Sequence, residues 1–180
     1  KIGRYMTREE ADAEEAKGNY VTEVPEKGFQ RIVSSPKPVA IVEIDAIRAL
    51  LDADQIVISC GGGGIPVLEQ GSNLKGASAV IEKDLTSGLL AKEVDADVLM
   101  LVTTVDNVML NYGTSDAKPI ERMTVAEAYI RQGQFESASM LPKVEAALSF
   151  IKAGKGRNAI ITSMEHAQDS ISGHAGTTIE

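Results

Sequence analysis

Lys83 and Lys143 are the side chains of this sequence whose types and settings could move a phosphoryl group. Lys83 stands directly before one expected helix, and Lys143 lies in the first turn of another. A helix start already carries roughly half a positive charge. A lysine there is unfavourable unless an anion is near; with the free backbone N–H groups it makes a phosphate site. Either lysine alone reads as a solvated surface charge, and Asp84 alone as a plain N-cap. The third part is a turn. The apolar run Ile56 to Ile58 reads as a buried strand and breaks into Gly61, Gly62, Gly63 and Gly64. Four glycines together are expensive to order, which favours a ligand-facing role over a mobile turn. Phosphoryl transfer rests on positioning and charge stabilisation, so two lysines, backbone amides and a metal ion suffice for it.

Other phosphate signatures are missing from the sequence. It contains neither Gly-x-x-x-x-Gly-Lys-Ser/Thr nor Gly-x-Gly-x-x-Gly with an acidic residue at Rossmann spacing. No Cys/His cluster suggests zinc or another bound metal. The 180 residues carry 18 Lys plus Arg against 26 Asp plus Glu, a net charge of −8. That argues against a general nucleic-acid partner, which would need a basic patch. One cysteine, Cys60, excludes an internal disulfide and suits a reducing compartment. It follows an apolar run, so packing is its expected role; neither His166 nor His174 is close in sequence to make it a catalytic thiol. No apolar stretch is long enough to cross a bilayer. The start, Lys1-Ile2-Gly3, has neither an initiator methionine nor a signal pattern, and is expected to lie inside a longer protein.

The elements that must position these residues follow from patterning. Residues 7–17 read as a solvated helix with Thr7 and Glu10 at capping-box spacing. Residues 19–24 and 29–33 flank Pro-Glu-Lys-Gly and predict a hairpin. Pro36 and Pro38 stiffen a connector. A short helix is expected over 45–52, with Ile44, Ile47, Leu50 and Leu51 on one face. A strand over 79–81 leads to a helix capped by Asp84. Residues 98–102 are the most strand-like run, with a short second strand within 103–113. Helices are expected over 124–131, capped by Thr124 with Glu127, over about 141–152, and over 164–170. Strands are expected over 158–162 and 176–179. Strands alternating with helices from residue 39 onward predict parallel β-α-β units and a sheet covered on both faces.

Taken in order, Ser59-Cys-Gly-Gly-Gly-Gly-Ile-Pro66, Val80-Ile-Glu-Lys-Asp84, Val105-Asp106 with Asn111-Tyr-Gly113, and Ser139-Met-Leu-Pro-Lys143 resemble the carbamate kinases of the amino-acid kinase superfamily. Ser35-Pro-Lys-Pro38 fits the same pattern. The resemblance runs along almost the whole chain. It implies an α/β fold, a three-layer α/β/α sandwich with a mainly parallel sheet. It also implies reversible phosphoryl transfer between ATP and carbamate, giving ADP and carbamoyl phosphate, with Mg2+ held largely by the phosphates. By resemblance, Lys83 and Lys143 neutralise the transferring group and Asp84 orients them. The loop Gly61, Gly62, Gly63 and Gly64 lies on the phosphoryl or acceptor side. Asp106, Val108 and Tyr112 line the adenine pocket, and Ser139 and Met140 approach the nucleotide.

The same resemblance places residues 1–34 in a protruding subdomain and 35–180 in the nucleotide-binding lobe. It implies a cytoplasmic homodimer serving arginine fermentation. Family members carry a longer N-terminal part, with a Gly-Gly-Asn loop completing the acceptor site, that this sequence lacks. They also have a lysine before a Pro-Ile-Gly type sequence, which Lys1 or its neighbour would match. The ending Gly176-Thr-Thr-Ile179 fits the family's natural end. A kinase for another carboxylate, or a non-catalytic nucleotide-binding piece, are the other readings.

Overall fold

A computed structural model describes residues 1–137 and 139–180. It divides into two compact units: residues 1–36 with 65–80, and residues 37–64 with 81–180. The chain leaves the first unit after residue 36 and returns to it over residues 65–80.

In the first unit, strand β1 (Ile2–Met6) leads into helix α1 (Arg8–Ala16). Thr7 caps α1 through the expected box: its hydroxyl accepts from the Glu10 N–H, and the Glu10 carboxylate accepts from the Thr7 N–H. Strands β2 (Tyr20–Val24) and β3 (Gly28–Ile32) form the expected antiparallel hairpin, with β1 on the far edge of β3. A second hairpin, β4 (Val67–Gln70) with β5 (Asn73–Gly76), closes through Gly71 at φ 62°. The sequence reading missed it, because its strands lack an alternating apolar pattern. Where a strand over 79–81 was expected, there is a single parallel bridge between Ser34 and Ala79.

Arg4 grips Glu10 with both terminal nitrogens, at 2.6 and 3.1 Å. That bond, followed by the Thr7 N–H, lowers the Glu10 carboxyl to about 2 from its ordinary 4.5. A depressed carboxylate pKa stabilises the folded form above the unfolded value, and the contribution fades as pH falls from about 4.5 to about 2. An NMR titration is expected to find Glu10 ionised at pH 3, and Arg4→Ala to move its midpoint upward. A midpoint in the ordinary range in the unaltered chain would contradict the contact.

The second unit holds helix α2 (Ile44–Asp52), a 3₁₀ turn at Gly61–Gly63, helix α3 (Lys83–Glu93) and strand β6 (Val98–Thr103). Then come β7 (Val108–Leu110), β8 (Lys118–Ile120), β9 (Arg122–Met123), α4 (Val125–Ile130), α5 (Met140–Lys152), β10 (Asn158–Ser163), α6 (Ala167–Ile171) and β11 (Thr177–Ile179). Its main sheet has the order β6-β10-β11-β9. The outer pairings are parallel and the central β10–β11 pairing is antiparallel, so the sheet is mixed. Side chains alternate along β10. Ala159 and Ile161 join the core with Val144, Ala147 and Leu148 of α5. Thr162 points the other way, with its hydroxyl 2.7 Å from that of Ser170 in α6. Helices thus cover both faces, the layered α/β arrangement the sequence implied.

Two features of this unit correct the sequence reading. Residues 56–58 belong to no strand, and Ile56 and Ile58 are 98% and 96% exposed. Val57 and Ser59, on the alternate side, line an apolar groove with Ile47, Leu51, Leu90 and Leu99. The run has the right residues for a strand, but among the described residues none pairs with it, so its outer side chains stay uncovered. Second, α3 begins one residue before Asp84, and its cap is Glu82, whose carboxylate accepts from the Asp84 N–H at 3.5 Å. Asp84 is free to turn inward.

Candidate phosphoryl-transfer site

Small residues decide where α3 meets α5. A Cβ on Gly88 would stand 3.0–3.1 Å from the backbone and Cβ of Ala146, so the helices touch backbone to backbone. Residues four apart share a helix face. Gly88 at this contact therefore puts Asp84, one turn earlier, against the neighbouring helix. Ala146 likewise puts Lys143, three residues earlier, against α3. The two helix starts lie side by side.

There Lys143 Nζ donates to Asp84 Oδ2 at 2.9 Å and to the Ser139 carbonyl at 3.3 Å. Both side chains of the ion pair are buried, 6% and 8% exposed. Lys83 Nζ stands 4.0 Å from the same Asp84 oxygen and 3.5 Å from Glu82 Oε1, with its side chain 62% exposed. The two ammonium groups thus reach one carboxylate oxygen, one of them fixed and dry, the other free to swing into solvent.

The glycine turn lies against the same helix start. Cys60 enters it in the left-handed region at φ 55°, and Gly62, Gly63 and Gly64 all have positive φ. At Gly63 the approach is closest: a Cβ there would lie 2.1 Å from the Ile81 carbonyl oxygen and 3.4 Å from the Lys83 nitrogen. The Gly63 carbonyl accepts from the Thr86 hydroxyl at 3.0 Å. Gly63, Lys83, Asp84 and Lys143, scattered over 81 positions by sequence number, are brought together as the sequence reading required.

The other expected residues lie on the segment after β6 and at the start of α5. Asp106 is exposed, 3.8 Å from His166 Nε2. Asn107 holds this segment by donating to the carbonyls of Gly176, at 2.7 Å, and Ile120. Val108 is fully buried in the core. Its N–H donates to Thr177 Oγ1 at 2.8 Å. Tyr112 is exposed. Ser139 is exposed and bonds to Glu136 through its N–H and hydroxyl, while Met140 is buried. An open cavity of about 450 Å³ borders this segment, lined by Leu110, Asn111, Lys118, Arg131 and Gln134 among others. The sequence reading made none of these a site residue, although Asn111 stands in its Asn-Tyr-Gly motif, because they come from four separate elements. It also passed over Thr86 and Ser163; the buried hydroxyl of Ser163, at the end of β10, has no partner among the described residues.

The model of the Amino acid kinase family matches residues 8–163. The chain is 45% identical to the carbamate kinase-like protein YqeA of Escherichia coli and 48% identical to carbamate kinase 2 of Enterococcus faecalis. Each match covers 99% of this chain and 58% of the relative. Among solved structures it is similar to carbamate kinase from Giardia lamblia bound to AMP-PNP. That match has 38% identity and a TM-score of 0.92, over 99% of this chain and 57% of the other. The chain therefore spans a little under three fifths of the length of the relatives it matches. Matched by its family's model over most of its length, and carrying both lysines on one carboxylate beside a glycine turn, the chain belongs to the amino acid kinase family.

Proposed function

We propose that this chain supplies the nucleotide and phosphoryl-transfer lobe of a carbamate kinase. The reaction is reversible: an ADP β-phosphate oxygen forms a bond to the phosphorus of carbamoyl phosphate as the bond to the carbamate oxygen breaks, giving ATP and carbamate. The observation that carries this reading is the pairing of Lys83 and Lys143 on Asp84 beside the glycine turn. Charge that spreads over the transferring oxygens needs fixed donors already in place. Lys143, held by Asp84, is such a donor. Lys83, on the exposed side, can follow the group as it moves between acceptor and nucleotide. Backbone N–H groups of the turn and of the α3 start add partial positive charge.

Asp106, Val108, Tyr112, Ser139 and Met140 form the nucleotide side in this reading, with the cavity beside Leu110 and Arg131 extending it. Among the described residues no group of three His, Cys, Asp or Glu could hold a metal ion. In this reading Mg2+ is carried with the substrate, on the hard phosphate oxygens of the nucleotide. No helix is long and apolar enough to cross a membrane. A cytoplasmic homodimer completes the proposal.

The test is a pair of measurements on the protein carrying the family's remaining length. One is titration with ATP and ADP; the other is a coupled assay of ATP formation from carbamoyl phosphate and ADP. Binding with turnover supports the reading. Turnover with a different acyl phosphate, and none with carbamoyl phosphate, would shift the assignment to a kinase for another carboxylate. Binding without turnover on any of these would overturn it.

A further inference from the structure

We infer that Thr86 is the positioning residue that locks the glycine turn to the helix carrying Lys83 and Asp84. The inference rests on the phosphoryl-transfer reading for its kinetic consequence, but not for its structural one. Four successive glycines have little stiffness of their own. A Cβ added at Gly61, Gly62 or Gly64 would meet nothing within 4 Å, whereas one at Gly63 would strike the Ile81 carbonyl. The turn is therefore seated at Gly63, and Gly63 is where it is tied. Its carbonyl accepts from Thr86 Oγ1 at 3.0 Å in a buried contact.

Thr86 is itself buried and sits in the first turn of α3, three residues after Lys83. A threonine inside a helix ordinarily turns its hydroxyl back to the carbonyl four residues earlier. That acceptor, Glu82 O, is available at 3.3 Å. The shorter contact leaves the helix for Gly63 instead. The single hydroxyl hydrogen thus couples the turn to α3 and so fixes the distance between the turn's amides and Lys83.

Cys60, the single cysteine of the sequence, adjoins the turn and is half-buried, so it reports on the turn's opening. Thr86→Val keeps the side chain's shape and removes the hydroxyl; Thr86→Ser keeps the hydroxyl. In the intact protein, Thr86→Val is expected to raise the rate of Cys60 modification by a neutral disulfide reagent about tenfold, read on the Cys60 peptide by mass spectrometry. Thr86→Ser is expected to stay close to the unaltered rate. Under the kinase reading, kcat of Thr86→Val falls about tenfold while KM for the nucleotide stays nearly constant, and Thr86→Ser restores it.

A folded Thr86→Val protein with unchanged Cys60 labelling overturns the clamp, whatever its turnover. Faster labelling in a protein whose unaltered form shows no phosphoryl transfer keeps the clamp and removes the kinase reading. Should Thr86→Val fail to fold, hydrogen exchange in the unaltered protein decides. The Gly63 amide, bonded to the Cys60 carbonyl at 2.9 Å, should be protected as well as the Thr86 amide. Exchange at the rate of an open loop overturns the clamp.

Discussion

Lys143→Met is expected, under the proposed kinase reading, to lower turnover by roughly 10²–10³-fold, the usual loss for one preorganised donor to a charged transition state. It is also expected to cost stability, for a separate reason. Lys143 and Asp84 are buried together, and removing one partner leaves the other charge without compensation. Breaking such a pair typically costs about 3–5 kcal/mol. Lys83, 4.0 Å from the same oxygen and mostly exposed, recovers only part of that. A single variant therefore mixes chemistry with folding. The double variant Lys143→Met with Asp84→Leu separates them. An apolar pair of similar size is often as stable as a buried ion pair. Thermal unfolding of the double variant should return close to that of the unaltered protein, while its turnover stays at or below that of Lys143→Met. If turnover returned with stability, the pair would be a structural tie and the transferring group would be bound elsewhere.

What was legible in the sequence was mostly local. The capping boxes at Thr7 and Thr124, the hairpin of residues 20–32 and the strands at 98–103 and 158–163 rest on patterns a few residues long, and the structure has them. The joining of Lys83, Asp84 and Lys143 was legible for a different reason. Two cations at two helix starts are unfavourable without a nearby anion, which the charge argument took to be a phosphate; only the resemblance set Asp84 to orient the lysines, and the structure places its carboxylate between them. Asp84 itself was misread as a cap. Its residue type fits that role, and a local pattern cannot show that Gly88 and Ala146 bring a second helix within its reach. Ile56 to Ile58 went wrong the same way. An apolar run states a strand's preference, but burial needs a partner from far along the chain. The β11 reversal between two parallel pairings was equally hidden, since a three-residue strand carries no mark of its direction.

The glycine turn permits a comparison that separates protein packing from ligand approach. Gly63→Ala must place a methyl group where the Ile81 carbonyl now stands, 2.1 Å away, at φ +116°, which side-chain-bearing residues avoid. The turn has to move. A displacement of even about 1 Å at a phosphoryl-transfer site can cost roughly 10²-fold in rate, and the strained backbone a further 1–3 kcal/mol or so of stability. Gly62 differs. Its φ of +67° lies in the left-handed region that an alanine tolerates at a cost of about 1–2 kcal/mol. A Cβ there would meet no protein atom within 4 Å. Gly62→Ala is therefore expected to fold, its melting temperature lowered by only the several degrees, roughly 2–8 °C, that this backbone cost implies. If phosphate oxygens come down onto the turn's backbone, that methyl group occupies their place, and turnover falls about as far as in Gly63→Ala. Packing inside the protein gives no reason for such a loss, so an activity defect at Gly62 with no more than that loss of stability reports a ligand against the turn. Normal activity in Gly62→Ala beside a crippled Gly63→Ala would instead make the turn a packed corner, and leave the lysines to hold the phosphoryl group without it.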